Sequence, residues 1–222
     1  MGALVDLVKV LFDPGAVFER VREKPRFLLP FLGLMVVQVV IGVLNLPYLQ
    51  AAMRAAMAGR EMPAGAPDPS KFAFLGVAAV PVVLGLLFLL SALILWILVS
   101  IFGGEAKFAT LLSVSVYASV PAVVLLTIIG SVVLRMKGLD AMASPADMQP
   151  ALGLDLLAPG TKGFMGGLLK AINPFSIWGL VLTAIGVSVT HKLPRSAGYT
   201  IGTISFAIGA VIGALLAGLG GG

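Results

Sequence analysis

Long uncharged stretches alternate with short charged ones along the whole chain. An apolar helix needs roughly 20 residues to cross a hydrocarbon core about 30 Å thick. The uncharged stretches reach that length and are apolar on all sides, which favours helices over the alternating strands of a membrane barrel. The pattern therefore predicts an all-α, polytopic membrane protein with five transmembrane helices. The five windows that contain no Asp, Glu, Lys, Arg or His are residues 27–53, 72–104, 108–134, 171–190 and 196–222.

Prolines and turn residues set the expected limits of the spans. Pro47 and Tyr48 should end the first span, and Pro81 should separate a short interfacial piece from the second. Pro121 lies inside the third span and should kink it, because proline lacks the backbone N–H that a helix interior requires. The expected spans are about 28–48, 82–102, 109–134, 174–190 and 199–219.

The residues before the first span predict two short amphipathic helices. Asp13 is expected to cap the second helix, with Pro14 in its first position and Phe18 on its apolar face. Such a segment either lies on the bilayer surface or packs as a helical pair on the ends of the spans, and the two arrangements are compatible. The predicted domains are residues 1–26, the amphipathic segment, and 27–222, the transmembrane domain.

Composition supports a membrane protein and excludes several classes of site. Of the 222 residues, 59% are hydrophobic and only 11% charged, whereas soluble proteins have about 25% charged residues. The absence of cysteine excludes disulfides and thiolate chemistry. The net charge of +5 lies in the loops, so it indicates contact with lipid headgroups rather than with nucleic acid.

The distribution of basic residues predicts the orientation. With five spans, residues 1–26 share a side of the membrane with the turns at 103–107 and 191–195. This side carries eight of the 15 Lys and Arg residues in the shorter total length of chain. Because basic residues concentrate on the cytoplasmic side, the N-terminus is expected inside, in the inner (plasma) membrane of the cell.

Reactive side chains are scarce in the spans. No Asp, Glu, Lys, Arg or His lies within the five windows, although such residues are the usual mark of an ion path or a catalytic centre in a membrane. Gln38 is the costliest polar residue there and is expected to join two helices. His191, the single histidine, lies at a membrane boundary. We therefore expect no catalytic residue, no metal site and no cofactor.

Small residues form faces on the last two predicted spans. Gly202, Gly209 and Gly213 lie near one face of the fifth span, and Gly179 and Gly186 repeat seven residues apart in the fourth. Helices in lipid associate through such faces, because close backbone approach provides the packing. Two alternatives follow, namely packing of spans four and five within one chain, and homo-oligomerisation.

Three segments in a fixed order carry a family resemblance. They contain Asp13-Pro14 with Phe18, then Gly103-Gly104 followed by Tyr117 and Pro121, then Asn173-Pro174 with Trp178. This order resembles the prokaryotic branch of the Yip family, the Ypt/Rab-GTPase-interacting proteins, over essentially the whole chain. The resemblance implies five helices, a cytosolic N-terminus and a C-terminus on the far side.

The resemblance also implies a class of function. Eukaryotic members look like adaptors that engage prenylated Rab-type GTPases, partner with one another and act in vesicle traffic. We expect a non-enzymatic adaptor or membrane-organising scaffold that meets a protein partner on its cytosolic face. The expected docking surface comprises the N-terminal segment and residues 103–107 and 191–195. The alternative is a transporter or channel for a neutral or lipidic solute, with the kinks at Pro81 and Pro121 as gates.

Overall fold

A computed structural model describes residues 2–58 and 68–220. Within these ranges the regular secondary structure is helical and contains no strand. Short 3₁₀ turns, including Pro69–Phe72, occupy parts of the connections. The α-helices are α1 (Gly2–Lys9), α2 (Pro14–Glu23), α3 (Leu28–Met57), α4 (Ala73–Ile101), α5 (Phe108–Ala118), α6 (Leu126–Lys137), α7 (Gly163–Ala171), α8 (Pro174–His191) and α9 (Arg195–Gly220).

Five helical segments in the described part of the chain are long and apolar enough to cross a membrane. Large apolar side chains such as Val36, Val82 and Leu86 are exposed on their surfaces, as a bilayer solvent permits. The predicted all-α polytopic architecture is confirmed. The segments are Leu28–Met57, Pro69–Ile101, Phe108–Lys137, Pro174–His191 and Arg195–Gly218.

The first two long helices pass through the prolines that were expected to interrupt them. Helix α3 continues past Pro47 to Met57, and α4 contains Pro81 without a break. The prediction that Pro81 separates an interfacial piece from the span is therefore wrong. In a bilayer a proline removes one backbone hydrogen bond, while unwinding the helix would leave further polar groups without partners in lipid.

Pro121 does disturb its helix, as expected. The residues Pro121–Leu125 form a π turn between α5 and α6, in which the Leu126 N–H donates to the Pro121 carbonyl. The side-chain amide of Gln38 donates to the carbonyl of Val123 in this turn, and to Thr127 Oγ1 at 3.3 Å. Gln38 thus joins α3 to the third span, which confirms its predicted role.

The main hydrophobic core lies toward one end of the bundle. Helices α4 and α8 contribute residues near their C-terminal ends, for example Val99 and Val187, whereas α5 and α9 contribute residues near their N-terminal ends, for example Leu111 and Ile201. All four positions are completely buried. This end also receives α1 and α2, so we call it the N-side.

A polar node joins α3 and α6 at the opposite end. Ser131 Oγ donates to Asn45 Oδ1 at 2.8 Å, and Arg135 Nη1 donates to the same oxygen at 2.9 Å. The Arg135 guanidinium also lies 6.0 Å from the centre of the Tyr48 ring. These contacts satisfy polar groups where the spans leave the apolar region.

Candidate functional site

Three segments that are distant in sequence form one surface on the N-side. We call the surface composed of residues 2–26, 103–107 and 191–195 the N-side cap. The backbone N–H of Lys107 donates to His191 Nε2 at 3.4 Å, and Arg22 Nη1 donates to the carbonyl of Val189 at 3.4 Å. The structure therefore brings together the three segments that the sequence analysis assigned to one docking surface.

Capping and an ion pair fix the corner between α1 and α2. Asp13 Oδ1 accepts a hydrogen bond from the N–H of Ala16 at 3.3 Å, and Pro14 occupies the first position of α2, as predicted. Arg20 Nη2 lies 2.7 Å from Asp6 Oδ1, with a second hydrogen bond from Arg20 Nε to Asp6 Oδ2 at 3.4 Å. The hydrogen bond to Asp6 raises the pKa of Arg20 above its ordinary value. The two hydrogen bonds of this pair join α1 to α2.

Phe18 attaches α2 to the transmembrane helices. Its ring is fully buried, together with Val17 and Val21 on the same face of α2. A Cβ atom placed on Gly186 would lie 3.0 Å from two carbons of this ring and 2.8 Å from Val114 Cγ1. Gly186 therefore provides the space that Phe18 fills between α5 and α8.

Tyr117 attaches α1 to the third span. The side chain of Tyr117 is buried, and its hydroxyl donates to the backbone carbonyl of Ala3 at 3.2 Å. Helix α1 also packs against the start of α3, where Leu4 and Leu7 lie over Gly33. The N-terminal segment is thus a packed helical pair on the ends of the spans, one of the two arrangements that the sequence predicted.

The outer face of α1 remains apolar and exposed. Val8 is 61% exposed, and Phe12 at the corner is 83% exposed. The opposite face buries Ala3, and Val10 is buried directly after the helix. A helix that is apolar on two faces suits a location between the bundle and the surface of a bilayer.

A tight turn at Gly103 and Gly104 ends α4 on the N-side cap. Gly103 has a φ of +78°, and the N–H groups of Gly103 and Gly104 donate to the carbonyls of Ser100 and Val99. This is the Schellman arrangement that ends many helices. The positive φ of Gly103 favours glycine, and a Cβ atom on Gly104 would come within 2.7 Å of Val99 Cγ1, so a larger residue there would force Val99 to shift.

The third motif lies at the other end of the molecule. Asn173 is buried and caps α8, accepting hydrogen bonds from the N–H groups of Phe175 at 3.1 Å and Ser176 at 2.9 Å. Pro174 occupies the first position of α8, and Trp178 is partly exposed one turn later. These residues define where the fourth span begins, and they are not part of the N-side cap.

The predicted small-residue faces divide into packed and open positions. A Cβ on Gly179 would lie 3.2 Å from the Ala118 carbonyl, and a Cβ on Gly202 would lie 3.2 Å from the Leu180 carbonyl. The Gly202 contact supports the packing of spans four and five within one chain, whereas Gly179 packs span four against span three. At Gly209 and Gly213 a Cβ would meet no atom of the described chain within 4 Å.

Sequence reasoning missed one close helix contact. Helix α7 packs along the C-terminal half of α9, where a Cβ on Gly167 would lie 2.7 Å from the Cα of Ala214. The sequence signal for this contact was the pair Gly166-Gly167 in a short amphipathic stretch. This contact covers the side of α9 that carries Ala214. The neighbouring position, Gly213, stays open.

Several polar side chains of the spans make contacts within their own helices. Among residues 2–58 and 68–220, no three His, Asp or Glu side chains lie close enough to hold a metal ion. The hydroxyls of Ser113, Ser115 and Thr183 donate to carbonyls of their own helices. These hydroxyls are engaged in ordinary helix contacts.

Comparisons with known proteins agree with this architecture. The family model described as the Yip1 domain matches residues 8–217. The membrane protein YknW of Bacillus subtilis (strain 168) is 28% identical over 221 residues, which cover 96% of this chain and 90% of the relative. No solved structure matches the chain significantly. The chain belongs to the Yip1 domain family of membrane proteins.

Proposed function

We propose that this protein is a non-enzymatic adaptor or membrane-organising scaffold that docks a protein partner on the N-side cap. The observation that carries the proposal is the assembly of three sequence-distant segments into one exposed surface. Specific contacts such as Lys107–His191 and Phe18–Gly186 support a defined shape for this surface. Recognition sites on rigid elements are more precise than sites on free loops.

The charges of the N-side cap suit a specific partner. Exposed acidic side chains such as Glu23 and Glu105 lie on the same cap as exposed basic ones such as Lys24 and Lys192. A mixed pattern of charges favours one partner orientation and disfavours others, because like charges that meet across an interface repel.

We also propose that the N-side cap faces the cytoplasm of a cell whose inner membrane holds the protein. The support is the density of Lys and Arg on this side, including Arg22, Lys24 and Arg26 immediately before α3. A cytoplasmic cap would be accessible to soluble proteins as well as to neighbouring membrane proteins.

Site-specific crosslinking tests the adaptor proposal. A photoreactive amino acid is placed at residue 105 or 192 on the N-side cap, with a matched variant at the exposed position 162 on the opposite end. After irradiation in native membranes, the two cap positions should give the same discrete protein adduct, and position 162 should not. Adducts with lipid alone, or the same adduct from all three positions, would exclude the N-side cap as a docking surface.

The transporter alternative predicts a different result. Its one supporting observation is the π turn at Pro121–Leu125, because π turns often occur at functional sites in helices. If the turn is a gate, purified protein in vesicles should conduct a neutral solute, and Pro121→Ala should abolish the flux. The adaptor proposal expects no flux from either protein.

A further inference from the structure

Two neighbouring cavities open beside the N-terminal segment. The first is an apolar groove of about 450 Å³ along the first turns of α3, and Leu28, Leu29 and Leu32 contribute its wall. The second is a polar cavity of about 580 Å³ between α1 and α2, with Tyr117 in its lining. Together they form a site that is apolar on one side and polar on the other.

Arg26 connects the two cavities, since it lines both. The hydrogen bond from the Tyr117 hydroxyl to the Ala3 carbonyl also lies between them, because Ala3 lines the groove and Tyr117 lines the polar cavity. A ligand that occupies both cavities would therefore pass over Arg26.

The polar cavity is positively charged. It is lined by four basic and two acidic side chains. Asp6 and Arg20 form an ion pair with each other, and Glu23 offsets one of the remaining three. The cavity therefore keeps a net positive charge beside Arg26. The three remaining basic side chains are Lys9, Lys24 and Arg26.

The order of the two cavities follows the expected depth in a membrane. The polar cavity lies among residues that precede the first span, whereas Leu28 is the first residue of α3. The packing of Leu4 and Leu7 on Gly33 keeps α1 beside the first two turns of this span. We therefore expect the change from charged to apolar lining to fall where phosphate groups of a bilayer give way to acyl chains.

We propose that the protein binds one anionic phospholipid at this site, with its phosphate between Lys24 and Arg26 and an acyl chain over Leu29 and Leu32. Charge complementarity selects an anionic headgroup, and the leucine groove selects a ligand with a hydrocarbon chain. The inference goes beyond the adaptor proposal and does not depend on it, because a bound lipid requires no protein partner.

Native mass spectrometry of the detergent-solubilised full chain tests the proposal. The protein is equilibrated with equal amounts of dioleoyl phosphatidylglycerol and dioleoyl phosphatidylcholine, and the ratio of the two bound lipids is measured. The wild type should retain mainly phosphatidylglycerol. The variant Lys24→Gln/Arg26→Gln should lower the ratio of bound phosphatidylglycerol to bound phosphatidylcholine roughly 25-fold. This corresponds to about fivefold for each basic residue that is removed.

The matched control removes the same charge from the same side of the membrane. The variant Lys192→Gln/Arg195→Gln changes two exposed residues of the N-side cap that line neither cavity, and it should leave the ratio near that of the wild type. An equal fall in both variants, or no fall in Lys24→Gln/Arg26→Gln, would overturn the proposal. All positions changed are exposed, and a size-exclusion profile identical to the wild type checks that each variant is folded.

Two further arms test the two halves of the site. Leu32→Trp should fill the groove and reduce retention of both lipids while leaving their ratio unchanged. Excess glycerol 3-phosphate, which has the anionic group and no chain, should fail to displace phosphatidylglycerol. Displacement by glycerol 3-phosphate at lipid-like concentrations would instead assign the polar cavity to free phosphate compounds and exclude the lipid site.

Discussion

The ring of Phe18 in α2 packs directly against Gly186 in α8, at the point where a Cβ atom would approach the ring to 3.0 Å. The contact joins a residue that precedes the first span to the fourth span. It explains the family-motif residue Phe18 and the packing glycine Gly186 by one requirement, because the large side chain at one position needs the absent side chain at the other. The N-terminal segment is therefore part of the folded bundle.

Enlarging residue 186 should loosen this attachment. Gly186→Ala places a Cβ against both Phe18 and Val114 and should destabilise the protein by about 1–3 kcal/mol, as overpacking usually does. Thermal unfolding in detergent measures the loss, and the rate of tryptic cleavage at residues 20–26 should rise. Gly209→Ala, at an open position, is the control and should match the wild type.

Removing the Tyr117 hydroxyl should loosen α1 with little effect elsewhere. Tyr117→Phe loses the hydrogen bond to the Ala3 carbonyl and keeps the ring, which should cost about 1 kcal/mol. Amide hydrogen exchange should increase in α1 and remain unchanged in α9. Tyr199→Phe, at an exposed ring, serves as the control; equal exchange in wild type and Tyr117→Phe would mean that the bond does not hold α1.

Replacing Gln38 should weaken the link between α3 and the π turn. Gln38→Leu removes the donor to the Val123 carbonyl and should destabilise the protein by roughly 0.5–2 kcal/mol, the range for side-chain hydrogen bonds between membrane helices. Thr127→Val removes only the 3.3 Å contact to the same amide and should have the smaller effect. Reversible unfolding in mixed micelles compares the two, and the opposite ranking would contradict the assignment.

The glycines of α9 should divide into sensitive and tolerant positions. Gly202→Val should destabilise the monomer, because its side chain would press on the Leu180 carbonyl and on Ala184. Gly213→Val should leave monomer stability unchanged, since a Cβ there meets open space. Thermal unfolding gives the comparison. If a second copy packs on the open face, Gly213→Val should also lower the fraction of dimer in a crosslinking assay.

Cysteine labelling should establish the orientation without background, because the chain contains no cysteine. Glu105→Cys and Lys192→Cys lie on the N-side cap, whereas Lys162→Cys lies at the opposite end. In intact cells, a membrane-impermeant maleimide should label only Lys162→Cys, since the cap is proposed to face the cytoplasm. Labelling of the two cap positions instead would reverse the orientation.

Charge-free windows and capping residues could be predicted from the sequence because they depend on local chemistry. The limits of α8, the cap at Asp13 and the disturbance at Pro121 all follow from rules that act within a few residues. The uninterrupted course of α4 through Pro81 could not be predicted, because lipid tolerates one lost hydrogen bond better than an unwound helix.

The cap and its cavities required three-dimensional information. The five-span pattern predicted that residues 2–26, 103–107 and 191–195 lie on the same side of the membrane. Their contacts with one another depend on how the spans pack. Arg26 lines both the leucine groove and the basic cavity, and the hydrogen bond from Tyr117 to the Ala3 carbonyl lies beside it. No local pattern at Ala3 indicates a partner 114 positions away.

The contacts of the N-terminal segment impose an order on biogenesis. Helices α1 and α2 leave the ribosome first. The residues that they contact are synthesised later, first Tyr117 and then Gly186 and Val189. Until the fourth span has been inserted, Phe18 has no completed pocket to enter. Because α1 and α2 are amphipathic, they can bind to the bilayer surface until the later spans have been synthesised. Docking of Phe18 would then mark the completion of the bundle.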